Sequence, residues 1–194
     1  MVCSAPFDFE IIRATPPPPP PPPPDTSSAG VVINEIDYDQ PDPESGEFVE
    51  IYNAGPLPAD LSVLALEFIN EIGDLYNGRD LGIGLLLPGE FLLVVTSDLV
   101  VAPEGVTVLF MDPVMQNGPN DGVMIVEDGA GVVDAIAYKG PNQDFIEGFT
   151  SLIDDPNLGE VSICRLPGGF DTDDNDSDFA LCAPTPRSEN VPLP

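Results

Sequence analysis

Val123-Met124-Ile125-Val126, Glu127-Asp128-Gly129-Ala130-Gly131 and Val132-Val133-Asp134-Ala135-Ile136-Ala137-Tyr138 follow one another without a break. Two short runs rich in β-branched residues flank a five-residue link with two glycines, which reads as a hairpin loop. The same rhythm extends in both directions. Upstream, Val31–Asp37 alternates, and residues 47–53, 61–70 and 106–111 are further strand-like runs. Residues 81–87 and 91–96 flank the turn dipeptide Pro88-Gly89, and residues 161–165 and 179–181 close the set. No apolar stripe of helical period lasts beyond two turns. The pattern predicts an all-β, antiparallel sandwich of about nine short strands.

Alternation in the first strand places Val32, Ile36 and Tyr38 on one face and Ile33, Glu35, Asp37 and Asp39 on the other. The three acids there read as the solvent face of an edge strand, which charge protects from stray pairing, or as the lining of a cation site. Glu47 and Glu50 are three apart, so they point to opposite faces and do not make a glycosidase pair. Tyr38, Tyr52 and Tyr138 read as core or interface aromatics.

Five Lys/Arg stand against 34 Asp/Glu, a formal net charge of −29. A polyanion such as DNA or RNA is repelled by such a surface, and anionic lipid likewise, so no direct nucleic-acid binding is expected. Cations, basic partners or a salty milieu fit better. There is no His. That removes Ser–His–Asp and Cys–His machinery, the commonest zinc ligand and the usual general base near neutrality. No apolar run approaches the ~20 residues of a membrane-crossing helix, so no transmembrane segment is expected.

Residues 16–24 are nine consecutive prolines, a semi-rigid polyproline II spacer. The expected layout is an N-terminal segment at 1–15, a proline-rich linker at 16–28, a β-sandwich domain at 29–190 and a tail at 191–194. The first segment lacks a basic start, and Asp8 and Glu10 break its apolar residues, so it does not read as a signal peptide.

Two features near the C-terminus carry the candidate chemistry. Asp171, Asp173 and Asn175 have the i, i+2, i+4 spacing of oxygen ligands in calcium loops. The competing reading is a solvated acidic turn, favoured because acidic surface fills the whole chain. Arg165, just before this tract, reads as a structural clamp that forks onto its carboxylates. Cys164 and Cys182 flank the tract, with two readings: a disulfide, expected if the protein is exported, or two thiols.

The order of several motifs resembles the lamin-tail domain family in its bacterial form. Val32-Ile33-Asn34-Glu35-Ile36 is similar to that family's first strand, and Gly46-Glu47-Phe48-Val49-Glu50-Ile51-Tyr52-Asn53 to its second. Asn120-Asp121-Gly122-Val123 and Val133-Asp134-Ala135-Ile136 resemble the later hairpin, and Ser162-Ile163-Cys164-Arg165 the last section. Pro184-Thr185-Pro186 through Asn190 resembles the closing motif, with Arg187 where glycine is typical. The resemblance implies an immunoglobulin-like β-sandwich and a non-catalytic module. On that footing the expected role is an acidic interaction or scaffolding module of an exported or cell-envelope protein, with an unknown protein or envelope partner. The alternative is a calcium-dependent, carboxylate-based extracellular hydrolase or an accessory domain of one. A third reading takes the charge as adaptation to high salt, with no dedicated ligand.

Overall fold

In a computed structural model, residues 22, 24–41, 46–82, 84–97, 100, 104, 106–111, 115–140, 147–148, 153–158 and 161–193 are described. The N-terminal segment, Cys3 and all of the proline run except Pro22 and Pro24 lie outside them. Thirteen strands occur among the described residues: β1 (Val31–Asp37), β2 (Phe48–Asn53), β3 (Ala59–Asp60), β4 (Leu64–Ile69), β5 (Leu75–Asp80), β6 (Leu85–Leu86), β7 (Phe91–Val95), β8 (Thr107–Phe110), β9 (Gly122–Glu127), β10 (Gly131–Ala137), β11 (Ser162–Arg165), β12 (Phe179–Ala183) and β13 (Val191–Pro192). A single helical turn, α1 (Asn175–Asp178), precedes β12. Outside the runs expected from sequence lie the two-residue strands β3 and β13 and also β5, whose sequence Leu-Tyr-Asn-Gly-Arg-Asp has no β-branched residue.

One sheet has the order β13-β12-β11-β1-β2-β7-β8 and the other β10-β9-β4-β5, with β3-β6 as a small third. All pairs are antiparallel except β7 with β8, which run parallel. The hairpin at residues 122–138 forms as β9 and β10. The core lies between the two large sheets. Ile33, Ile36, Val49, Ile51, Leu92 and Ile163 from one face meet Leu64, Leu66, Phe68, Val123, Ile125 and Ile136 from the other. Tyr38 and Tyr138 stack inside it, their ring centroids 3.9 Å apart.

Two bulges set what points where. In β1 the register against β2 shifts between Ile33 and Glu35. The alternation read from sequence therefore slips by one residue before the bulge: Ile33, in place of Val32, joins Ile36 and Tyr38 in the core, while Glu35 lies on the opposite face as alternation places it. The edge-strand expectation is corrected as well. β1 is a central strand, and Glu35, Asp37 and Asp39 are all buried. In β10 the register against β9 shifts between Val132 and Asp134. Asp134 then pairs with the core-facing Ile125 and enters the space between the sheets.

Cys164 of β11 and Cys182 of β12 are joined in a disulfide with Cα atoms 5.9 Å apart, closing the loop that contains the acidic tract. Reduction of the folded protein should lower its melting temperature. The chain-entropy cost of the closed loop is about 3 kcal/mol, and Cys164→Ala/Cys182→Ala should melt like the reduced protein. Thermal unfolding with and without reductant checks this, with the intact mass reporting the bridge.

Candidate functional site

The polar centre of the molecule is Arg165, the largest fully buried side chain. It ends β11 on the core side of the sheet, one residue beyond the outward-facing Cys164. A guanidinium taken out of water must find acceptors for its five donors. Its Nε donates to Ile33 O at 2.9 Å. Nη2 donates to Asp134 Oδ1 at 2.6 Å. Nη1 faces Asp178 Oδ2 at 3.0 Å, Asp171 Oδ1 at 3.1 Å and Phe170 O at 3.2 Å. The Phe179 ring lies under it, 4.5 Å from the guanidinium carbon, and Glu147 Oε2 is 3.9 Å away.

Each acid in this shell is held in turn. Asp134 accepts from the backbone N–H of Ile33 in the facing sheet and from Ala135 N. The two bulges thus meet through one carboxylate. Asp178 ends α1 and accepts from Thr172 N at 2.8 Å and Thr172 Oγ1 at 2.7 Å. Burial pushes the Asp134 carboxyl up to about 6, against the pull of Arg165. Burial, with the charges of Asp134 and Asp171, pushes Glu147 up to about 8.

The residues proposed from sequence as calcium ligands point in different directions. Asp171 turns its carboxylate to Arg165 and also accepts from Asp173 N at 3.2 Å. Asp173 is exposed, with φ 54°. Asn175 is buried: it donates to Ala135 O at 3.0 Å and Glu147 Oε2 at 3.1 Å, and accepts from Ala137 N at 3.2 Å. The carboxylates whose oxygens do come within 4.8 Å of one another are Asp134, Glu147 and Asp171. Alternation with Ile136 and Tyr138 puts Asp134 on the core face of β10, but a lone carboxylate there gives no sign of the arginine that meets it from the facing sheet. Glu147 falls between the recognised strands and carried no signal.

A second buried polar layer lies on the opposite face of β1 and β2, under the closing segment. Glu35 accepts from Ser162 Oγ at 2.6 Å, Thr185 N at 2.9 Å and Thr185 Oγ1 at 3.2 Å. Glu50, paired with it across the strands, accepts from Asn34 Nδ2 at 2.7 Å and from Arg187 N. Asn190 donates to Asn34 O at 3.1 Å and Arg165 O at 2.8 Å, which ties the chain end to both layers. Arg187 has φ 68°, the left-handed region in which glycine is at ease, so the turn forms despite the side chain there. Gly169 has φ 71°, and a Cβ would sit 2.6 Å from the Tyr52 ring. No larger residue fits where its N–H donates to Asn34 Oδ1 at 2.8 Å.

Burial raises Glu35 above the ordinary carboxylate range, and lifts Glu50 and Asp37 to about 8 and Asp155 to about 7. A carboxyl whose value is higher folded than unfolded stabilises fully below its unfolded value. It loses that contribution as pH rises through the folded one. The melting temperature should therefore fall between about pH 5 and about pH 8.5 at constant ionic strength. Glu50→Gln should shallow that slope, whereas Asp173→Asn, at an exposed position, should leave it unchanged. Thermal melts across the range for the three proteins check this.

A comparison with curated protein sequences finds no match. The family model described as Lamin Tail Domain matches residues 24–140, more than half of the chain. That range holds β1 to β10 and Asp134, while Arg165 and the closing segment follow it. The family model thus spans the first ten strands of the fold, and the chain belongs to the lamin tail domain family.

Proposed function

We propose a non-catalytic role, because the family is one of immunoglobulin-like, generally non-enzymatic interaction domains. Among the described residues no helix is long and apolar enough to cross a membrane. We propose that this chain is a non-catalytic acidic module that holds a protein partner in an exported or cell-envelope assembly. The observation that carries this reading is the family match over residues 24–140. Two further features support it. Glu35 and Glu50, whose proton affinity is raised, are buried acceptors for backbone and side-chain donors of the fold itself. A disulfide between β11 and β12 fits an oxidising compartment.

One observation favours a second reading, the calcium-dependent hydrolase or its accessory domain: Asp134, Glu147 and Asp171 bring their oxygens within 4.8 Å of one another. Arg165 already supplies a cation there, 2.6 Å from Asp134 and 3.1 Å from Asp171. We therefore assign the cluster a structural role.

In-cell cross-linking with mapped cross-link positions should recover a protein partner joined through surface side chains. Purified protein should hydrolyse no nucleic acid, glycoside or peptide, with or without calcium. Calcium at about 10⁻³ M, the range of extracellular sites, should raise the melting temperature no more than sodium chloride of matched ionic strength. A calcium-specific rise lost in Asp171→Asn, or turnover lost with one carboxylate, would favour the hydrolase reading instead.

A further inference from the structure

The four-stranded sheet ends in an edge whose backbone points at solvent. Among the described residues β5 pairs with β4 alone. Just beyond it, Leu81 N donates to Leu64 O at 2.9 Å, so the odd-numbered positions at that end face β4. Gly78 N donates instead to the side chain of its neighbour Asn77, at 2.9 Å. Antiparallel alternation then turns the backbone groups of Gly78 and Asp80 outward. β5 has neither the proline nor the lysine that commonly blunts such an edge.

Beside this edge lies a groove of ≈ 830 Å³, formed by β4, β5, β9 and the β9–β10 turn. Glu67, Asp80, Glu127 and Asp128 line it against one cation, Arg79, with Val63, 39% exposed, as an apolar lip. These acids do not converge as those around Arg165 do, so the groove suits spaced cationic side chains and not a single ion. On a chain of net charge −29 it also draws cationic partners from a distance.

We propose that this groove and the β5 edge together dock an extended, Lys/Arg-bearing peptide segment of a protein partner. The segment adds a strand to β5 through its backbone and sets its cationic side chains against Glu67, Asp80 and Asp128. The proposal rests on the interaction-module reading and names the partner's chemistry.

The test is fluorescence anisotropy of a labelled peptide of alternating Lys and Val, with a Glu/Val peptide of equal length as comparison, in about 0.15 M salt. The wild type should bind the Lys peptide and not the Glu peptide. Glu67→Gln/Asp80→Asn/Asp128→Asn should weaken binding about tenfold or more, as expected for loss of complementary charge. Asp173→Asn/Asp176→Asn/Glu189→Gln removes as many charges from exposed positions elsewhere and should change it less than about twofold. Gly78→Pro, which deletes the outward N–H that Asn77 Oδ1 holds until a strand takes its place, should weaken binding with the melting temperature kept. If that variant misfolds, the two charge variants decide.

Equal losses from the two charge variants would mean diffuse attraction and would overturn the proposal, as would failure to discriminate the two peptides. So would self-association in sedimentation that Gly78→Pro abolishes, which would make the occupant a second copy. Each of these leaves the interaction-module reading standing, because that reading is tested separately by the cross-linking, hydrolysis and calcium experiments above.

Discussion

A buried guanidinium that joins the two sheets is the constraint on which the rest of this structure depends. Arg165 is completely buried, and its charge is tolerable only because acceptors arrive from every side. Ile33 O comes from β1, Asp134 from β10 of the facing sheet, and Asp171 and Asp178 from the acidic tract. Each arrival fixes something larger. Asp134 reaches inward on the same face of β10 as Ile136 and Tyr138, just past the bulge, and it bonds Ile33 N where β1 bulges. The acidic tract repels itself in isolation, and here it folds as a collar around one cation, ending in the short helix that carries Asp178.

The second consequence concerns how a chain with 34 acidic residues folds at all. Part of the acidity is placed where it accepts hydrogen bonds. Glu35 and Glu50 satisfy backbone donors of the half-buried closing segment. Asn190 then fastens that segment to Asn34 and Arg165. The acceptors raise proton affinity through burial, so the same groups that close the fold make it sensitive to pH.

The sheets were largely legible in the sequence. The hairpin at residues 122–138 announced itself through β-branched runs around a glycine-containing turn. β5 did not, because Asn77, Gly78 and Asp80 are poor strand formers and the strand exists through its pairing with β4. Residues 81–87 read as one strand, yet only Leu85–Leu86 pairs, and with β3. The candidate site was half legible. Arg165 next to five aspartates suggested a clamp, and the spacing of the two cysteines bracketed it. Asp134's partner and the buried state of Glu35 depend on tertiary contact: Arg165 arrives from the facing sheet, and Ser162 and Thr185 cover Glu35. Glu147 enters the shell through tertiary contact alone.

The central claim is that Arg165 and its carboxylates act as one unit between the sheets. A double-mutant cycle of Arg165→Met and Asp134→Asn, read by denaturant unfolding near neutral pH, tests it most directly. Arg165→Met alone should cost about 3–5 kcal/mol, because it strands buried carboxylates. The two changes should be strongly non-additive, with a coupling of about 1.5 kcal/mol or more. Additivity to within about 0.5 kcal/mol would show that the pair is not coupled and would contradict the account.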